Sequence, residues 1–257
     1  EHRGESMKRY LKGLLMALGM FTVIPMPKTY WDDESSRHIM KSYPVIGLVI
    51  GVLWSIIYKL LSYTNISMMV KAAFLMIFPF LITGMLHLDG FMDVCDALLS
   101  RRDKEEKIRI LKDPSTGAFA VISLAIIFIL NFSATYAFIE KEIIFHILLV
   151  IPVVSRSIIA IMLLLKPTMK ESSFATYFKK GTGKLDIVIL ISFLLLATVA
   201  SYILLSAKGL LLVILMIITA VLIVNNSCKE LGGINGDIAG HGLVLIESIA
   251  LLFLSVI

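Results

Sequence analysis

From Tyr43 onward the sequence alternates between long apolar runs and charged links, and that alternation leaves few folds open. Seven runs stand out, at roughly 43–61, 70–86, 117–139, 143–165, 186–206, 208–224 and 243–257. Each approaches the ~20 residues a helix needs to cross hydrocarbon. Composition points the same way, with 58% apolar and 17% charged residues, where a soluble domain is nearer ~45–50% and ~25%. The chain therefore reads as all-α: a polytopic helical membrane protein with about seven transmembrane helices. Residues 7–257 form one membrane domain, and residues 1–6, ahead of Met7, read as a remnant of expression.

A shorter apolar run, 11–27, ends in Ile24-Pro25-Met26-Pro27. Proline cannot continue a helix, and it pushes the residue before it away from helical angles. Charge then orders the links. Those at 87–116, 166–185 and 225–242 hold most of the downstream Lys and Arg, whereas 62–69, 140–142 and 206–208 are short and hold few. The positive-inside rule places the three long links in the cytoplasm. Counting back puts 28–41 inside too, and Lys8, Arg9 and Lys12 place the amino terminus there as well. Both hold only if 11–27 does not cross, so a short re-entrant or interfacial N-terminal helix is predicted. The net charge of +5 belongs to this topology, and nucleic acid is not implied. Cys95 and Cys228 give neither a disulfide framework nor metal-ligand spacing.

The polar motifs all fall in the inward-facing links. His87–Ala120 places Asp89, Asp93 and Asp96 within eight residues, and Asp113 follows. On a helix, i, i+4 and i+7 share a face, so three carboxylates stack and repel unless protons or cations offset them. A divalent ion with oxygen ligands, Mg2+ or Mn2+, answers that repulsion, and a solvated loop is the plain alternative. His87 reads as a general base or as a packed, hydrogen-bonded histidine. The basic run Arg101 to Lys112 reads mostly as a solvated helix face near headgroups. Asp113 and Ser115 to Ala118 open the next span, where free N–H groups suit an anion. The glycine-rich link 225–242 reads as a mobile or tightly turned backbone able to fold against phosphates. Arg156, inside an apolar span, either pairs with an acid such as Glu247 or holds a substrate phosphate.

Together, FTVIPMP near the start, YPVIGLVIG at 43–51, HLDGFMDVCDALL at 87–99, KDPSTGAFA at 112–120, Ser155-Arg156 and GGINGDIAG at 232–240 resemble the cobalamin synthase family, the adenosylcobinamide-GDP ribazoletransferases. The match covers nearly the whole chain. It departs at Met92, Cys95, Ser115 and Thr116, the third of these standing where arginine is usual. The resemblance implies a bacterial cytoplasmic (inner) membrane enzyme, multi-pass, with its active site facing the cytoplasm. It implies Mg2+ as cofactor, and adenosylcobinamide-GDP and α-ribazole, or α-ribazole 5′-phosphate, as partners beside the lipid bilayer. It leaves room for a homo-oligomer or association with other cobalamin-assembly enzymes. The chemistry is attack of a ribazole hydroxyl on the cobinamide phosphate with GMP leaving. On this reading Asp89, Asp93 and Asp113 hold metal, with Asp96 as base or further ligand and Asp93 and His87 also catalytic candidates. Lys112, Gly117, Arg156, Asn235, Gly236 and Asp237 are the candidates for substrate contact.

Two rivals stand beside it. A CDP-alcohol phosphatidyltransferase-like enzyme uses an aspartate cluster for comparable chemistry, but its D-G-x-x-A-R signature is missing after Asp89-Gly90. A cation transporter would need polar groups near the midplane, whereas these lie to one side. A cysteine at position 33 should label only from the cytoplasmic side of intact cells. Labelling only from the outer side would mean that 11–27 crosses.

Overall fold

A computed structural model describes residues 2–27, 32–170 and 172–257. Glu1, the start of the 28–41 link and one position of the 166–185 link lie outside the described residues. Twelve α-helices follow one another among the described residues: α1 (His2–Phe21), α2 (Asp33–Ser36), α3 (Tyr43–Ser62), α4 (Met68–Ile82), α5 (Leu86–Leu99), α6 (Lys104–Leu111), α7 (Ala118–Glu140), α8 (Ile147–Leu165), α9 (Ser173–Lys179), α10 (Lys184–Leu205), α11 (Ala207–Leu231) and α12 (Gly236–Val256). No strand occurs among them; one parallel bridge joins Thr168 to Ile234.

Six helices are long and apolar enough to cross a membrane, α3 (with the 3-10 turn Met40–Ser42), α7, α8, α10, α11 and α12. The remaining apolar run is not one straight helix. At 15 residues and ~1.5 Å per residue, α4 is about 22 Å long, short of the ~30 Å hydrocarbon core. Gly84 and Met85 then take left-handed backbone, φ 60° and 62°, and α5 leaves at 91° to α4. The continuous 70–86 span expected from the sequence therefore ends at Ile82. The Thr83 hydroxyl donates to the Pro79 carbonyl at 2.9 Å, satisfying an acceptor at the break. The helix α1 is not among those apolar enough to cross, and it ends before the prolines. Its exit is tied to the break, because the Val23 N–H donates to the Ile82 carbonyl at 2.9 Å.

α8 lies at the centre, with 83% of its apolar window buried, while α10 has 17% buried and turns Leu195, Leu196 and Ile203 outward. Since lipid is as apolar as leucine, such helices associate by close packing of small residues. Gly47 and Gly51, four apart, bring α3 onto α8: a Cβ on Gly51 would lie 2.6 Å from the Leu149 carbonyl oxygen, and one on Gly47 would strike that of Pro152. The same device joins α5 to α12. A Cβ on Gly90 would lie 2.8 Å from Asp237 Cα, and one on Gly240 would lie 3.1 Å from the His87 carbonyl oxygen.

That packing corrects the reading of the glycine-rich link. The last span begins at Gly236 and not at 243, because Asn235 caps it, its Oδ1 accepting from the Ile238 N–H at 2.9 Å. Gly240 and Gly242 are helical and close-packed. Only Gly232 and Gly233 have left-handed backbone in this link, φ 90° and 144°. Gly47→Ala should sharply lower the monodisperse yield in detergent. Gly183→Ala, where a Cβ meets nothing within 4 Å, should leave it unchanged.

Candidate active site

α5 carries Asp89, Asp93 and Asp96 along one face, as their spacing requires. The α5–α12 contact at Gly90 adds a fourth carboxylate from the first turn of α12, Asp237. Asp93 stands within electrostatic reach of Asp89, Asp237 and Asp96. Asp237 is held in place by the Asn235 amide, whose Nδ2 donates to its Oδ2 at 2.7 Å. Asn235 therefore does two jobs, capping α12 and orienting the acid. Carboxylates this near one another favour protons or cations between them.

Beside this group is a cavity of about 390 Å³. Asp89, Asp237, Asn235, Gly236, Lys112 and His87 line it, together with Tyr43 of α3 and apolar residues of α1, α6, α8 and α12. The links 87–116, 166–185 and 225–242 thus meet at one end of the bundle. The 166–170 strand-like segment is fastened there, the Met169 N–H donating to the Ile234 carbonyl at 3.0 Å. α6, which ends at the cavity wall in Leu111 and Lys112, is held by Lys107, whose Nζ lies 2.5 Å from Glu230 Oε2 of α11.

Other residues singled out by sequence lie elsewhere. Asp96 faces the start of α7, where the Ala120 N–H donates to its Oδ1 at 3.4 Å. Its carboxylate occupies the space a Cβ on Gly117 would need, so Gly117 admits a cap and does not line the cavity. A carboxylate at exposed helix N–H groups is a favourable placement. Asp113 is exposed and forms a turn, its Oδ1 accepting from the Ser115 N–H at 2.9 Å. That backbone bond holds its carboxyl below the usual range. Among the described residues no three His, Cys, Asp or Glu side chains form a ready-made metal cage.

Arg156 takes the structural one of its two expected roles. It is 1% exposed and ion-paired with Glu247, and Ser155 donates to the same carboxylate oxygen at 2.7 Å. It does not line the cavity. His87, 7% exposed, has Nε2 3.2 Å from the Tyr43 hydroxyl and stacks on Phe21. Tyr43 and the α8 wall were not singled out from the sequence. Tyr43 is the polar residue that opens an apolar span, just before Pro44, and it begins the YPVIGLVIG segment; those signals could have marked it.

Fold and site together define a polytopic membrane protein with a carboxylate-rich cavity at one end of its helix bundle. The profile of the cobalamin-5-phosphate synthase family matches residues 13–255, and the chain belongs to that family. A relative from Clostridium botulinum (strain Alaska E43 / Type E3), an adenosylcobinamide-GDP ribazoletransferase, is 49% identical over 245 residues, 95% of this chain and 97% of its own length. One of the same name from Clostridium perfringens (strain SM101 / Type A) is 44% identical over 251 residues, 98% and 100% of the two chains. Another, from Lachnoclostridium phytofermentans, is 31% identical over 243 residues, 94% of this chain and 92% of its own length. No solved structure matches the chain.

Glu247→Ala should strand the Arg156 guanidinium at a cost of about 3–5 kcal/mol. The Arg156→Met/Glu247→Ala double variant should recover much of it. Thermal unfolding in detergent checks both, and equal losses in the two would mean that the pair is not coupled.

Proposed function

We propose that this chain joins adenosylcobinamide-GDP to α-ribazole, or to its 5′-phosphate, releasing GMP. The observation that carries this reading is the full-length similarity to ribazoletransferases together with a cavity where Asp89, Asp237 and Lys112 converge. In the reaction a ribazole hydroxyl oxygen bonds to the cobinamide-side phosphorus. The pyrophosphate P–O bond breaks, GMP leaves with that oxygen, and the hydroxyl proton passes to a carboxylate.

Asp237 is our choice for the proton acceptor, since the Asn235 amide fixes its orientation and it faces the cavity. Asp96, expected from the sequence as base or further metal ligand, is turned to the α7 amides. Lys112 offers an ammonium to the phosphoryl oxygens where charge gathers. The donor set suits Mg2+, which is commonly held by one or two carboxylates with waters and substrate phosphates making up the rest. Asp89 and Asp93 would hold it. When bound it would supply charge neutralisation for the phosphoryl group. The basic links gathered around the site support a place on the cytoplasmic face of the bacterial inner membrane.

Asp237→Asn should lower GMP release by about 10²–10⁴, the usual worth of a positioned base, with expression unchanged. Chelation of Mg2+ should abolish release, and adding it back should restore it. Near wild-type turnover in Asp237→Asn would overturn the assignment of the base.

A further inference from the structure

The cavity and the two substrates differ in size, and this separates their places. At about 390 Å³ the cavity sits at the small end of the ~300–1,000 Å³ range of ligand pockets. It suits a nucleoside, whereas a corrin macrocycle bearing a nucleotide needs far more room. The walls give little. Ile159, Ala160 and Leu163 of α8 are almost wholly buried, and α5 and α12 touch backbone to backbone at Gly90 and Gly240. Widening the cavity therefore means separating helices.

The lining is also divided. The α8 wall is apolar, while the wall at the starts of α5 and α12 carries Asp89, Asn235 and Asp237. Among the described residues the lining holds two carboxylates and one ammonium, Lys112. The carboxylate wall offers acceptors to the hydroxyls of a sugar, which donate to carboxylates. The apolar wall suits a flat, uncharged base.

We propose, resting on the function above, that this cavity is the acceptor subsite. The benzimidazole base of α-ribazole lies against Ile159, Ala160 and Leu163, and its ribose points to Asp237 and Asp89. The corrinoid and its pyrophosphate stay at the mouth, beside Lys112. Ala160 then sets how large a base fits.

The test uses the full chain in detergent or nanodiscs. Ala160→Leu, which adds bulk to the apolar wall, should raise the KM for α-ribazole about tenfold or more, within the 10–200-fold range of small apolar misfits. The KM for adenosylcobinamide-GDP should stay within twofold. A raised KM for adenosylcobinamide-GDP with α-ribazole unaffected would overturn the subsite. Met40→Ala, which removes bulk from the same cavity, serves if Ala160→Leu does not fold. It should raise kcat/KM for a ribazole with a longer fused base relative to α-ribazole itself, and an unchanged ratio would count against the proposal. Equilibrium binding of labelled α-ribazole without the second substrate separates the two claims. If the wild type releases no GMP, the functional reading fails. The subsite then stands if Ala160→Leu weakens that binding, and falls if binding is equal in both.

Discussion

At Gly90 and Gly240 the main chains of α5 and α12 come into direct contact, with no side chain between them. Two apolar helices in lipid gain nothing from hiding apolar surface, so close van der Waals approach has to hold them. Here that approach also opposes electrostatics, because it brings Asp237 to the aspartate face of α5. A methyl group at position 90 would separate the helices and disperse the carboxylates. The acidic group is thus a product of backbone packing, and its tightness is set by two missing side chains. The cavity inherits the same dependence, since its floor and its polar wall belong to these two helices.

Depth sorts the remaining polar groups. Those in the interior have partners: Arg156 with Glu247 and Ser155 with the same carboxylate. At the end of the bundle Asp89 and Asp237 line the cavity, Asp237 with the Asn235 amide as its partner. The division follows from the cost of an unpaired charge in hydrocarbon, which falls steeply where water enters. It explains how a chain this apolar can hold both an ion pair that serves the fold and charges available for chemistry. The clamps on the cavity's outer parts, Lys107 with Glu230 and Met169 with Ile234, belong to the same boundary.

Much of this was legible in the sequence. The apolar runs and the clustering of polar motifs were, because each depends only on local composition. So was the shared face of Asp89, Asp93 and Asp96, which helical periodicity dictates. The bend between Ile82 and Leu86 was not, since Gly84 is unremarkable in an apolar segment and Met85 has no left-handed preference to betray it. The true start of α12 was hidden by glycines that signal a loop when read alone; they are helical because another helix fills the space beside them. Asp96 and Asp113 illustrate the same limit. Both are carboxylates in a matched motif, yet Asp96 meets the α7 start, 24 residues on, and Asp113 turns the chain at Ser115, two residues on.

The Arg156–Glu247 pair has a temporal side. The two residues are 91 positions apart, and ribosomes add about 5–20 residues per second. For roughly 5–20 s after Arg156 is made, its partner does not yet exist. An arginine at the centre of an inserting helix costs ~2.5–3.5 kcal/mol, so α8 enters the membrane carrying a debt that only the last helix can cancel. The central helix of the bundle is therefore completed by a segment made long after it, and a chain cut short before Glu247 leaves the ribosome with an unneutralised charge at its core.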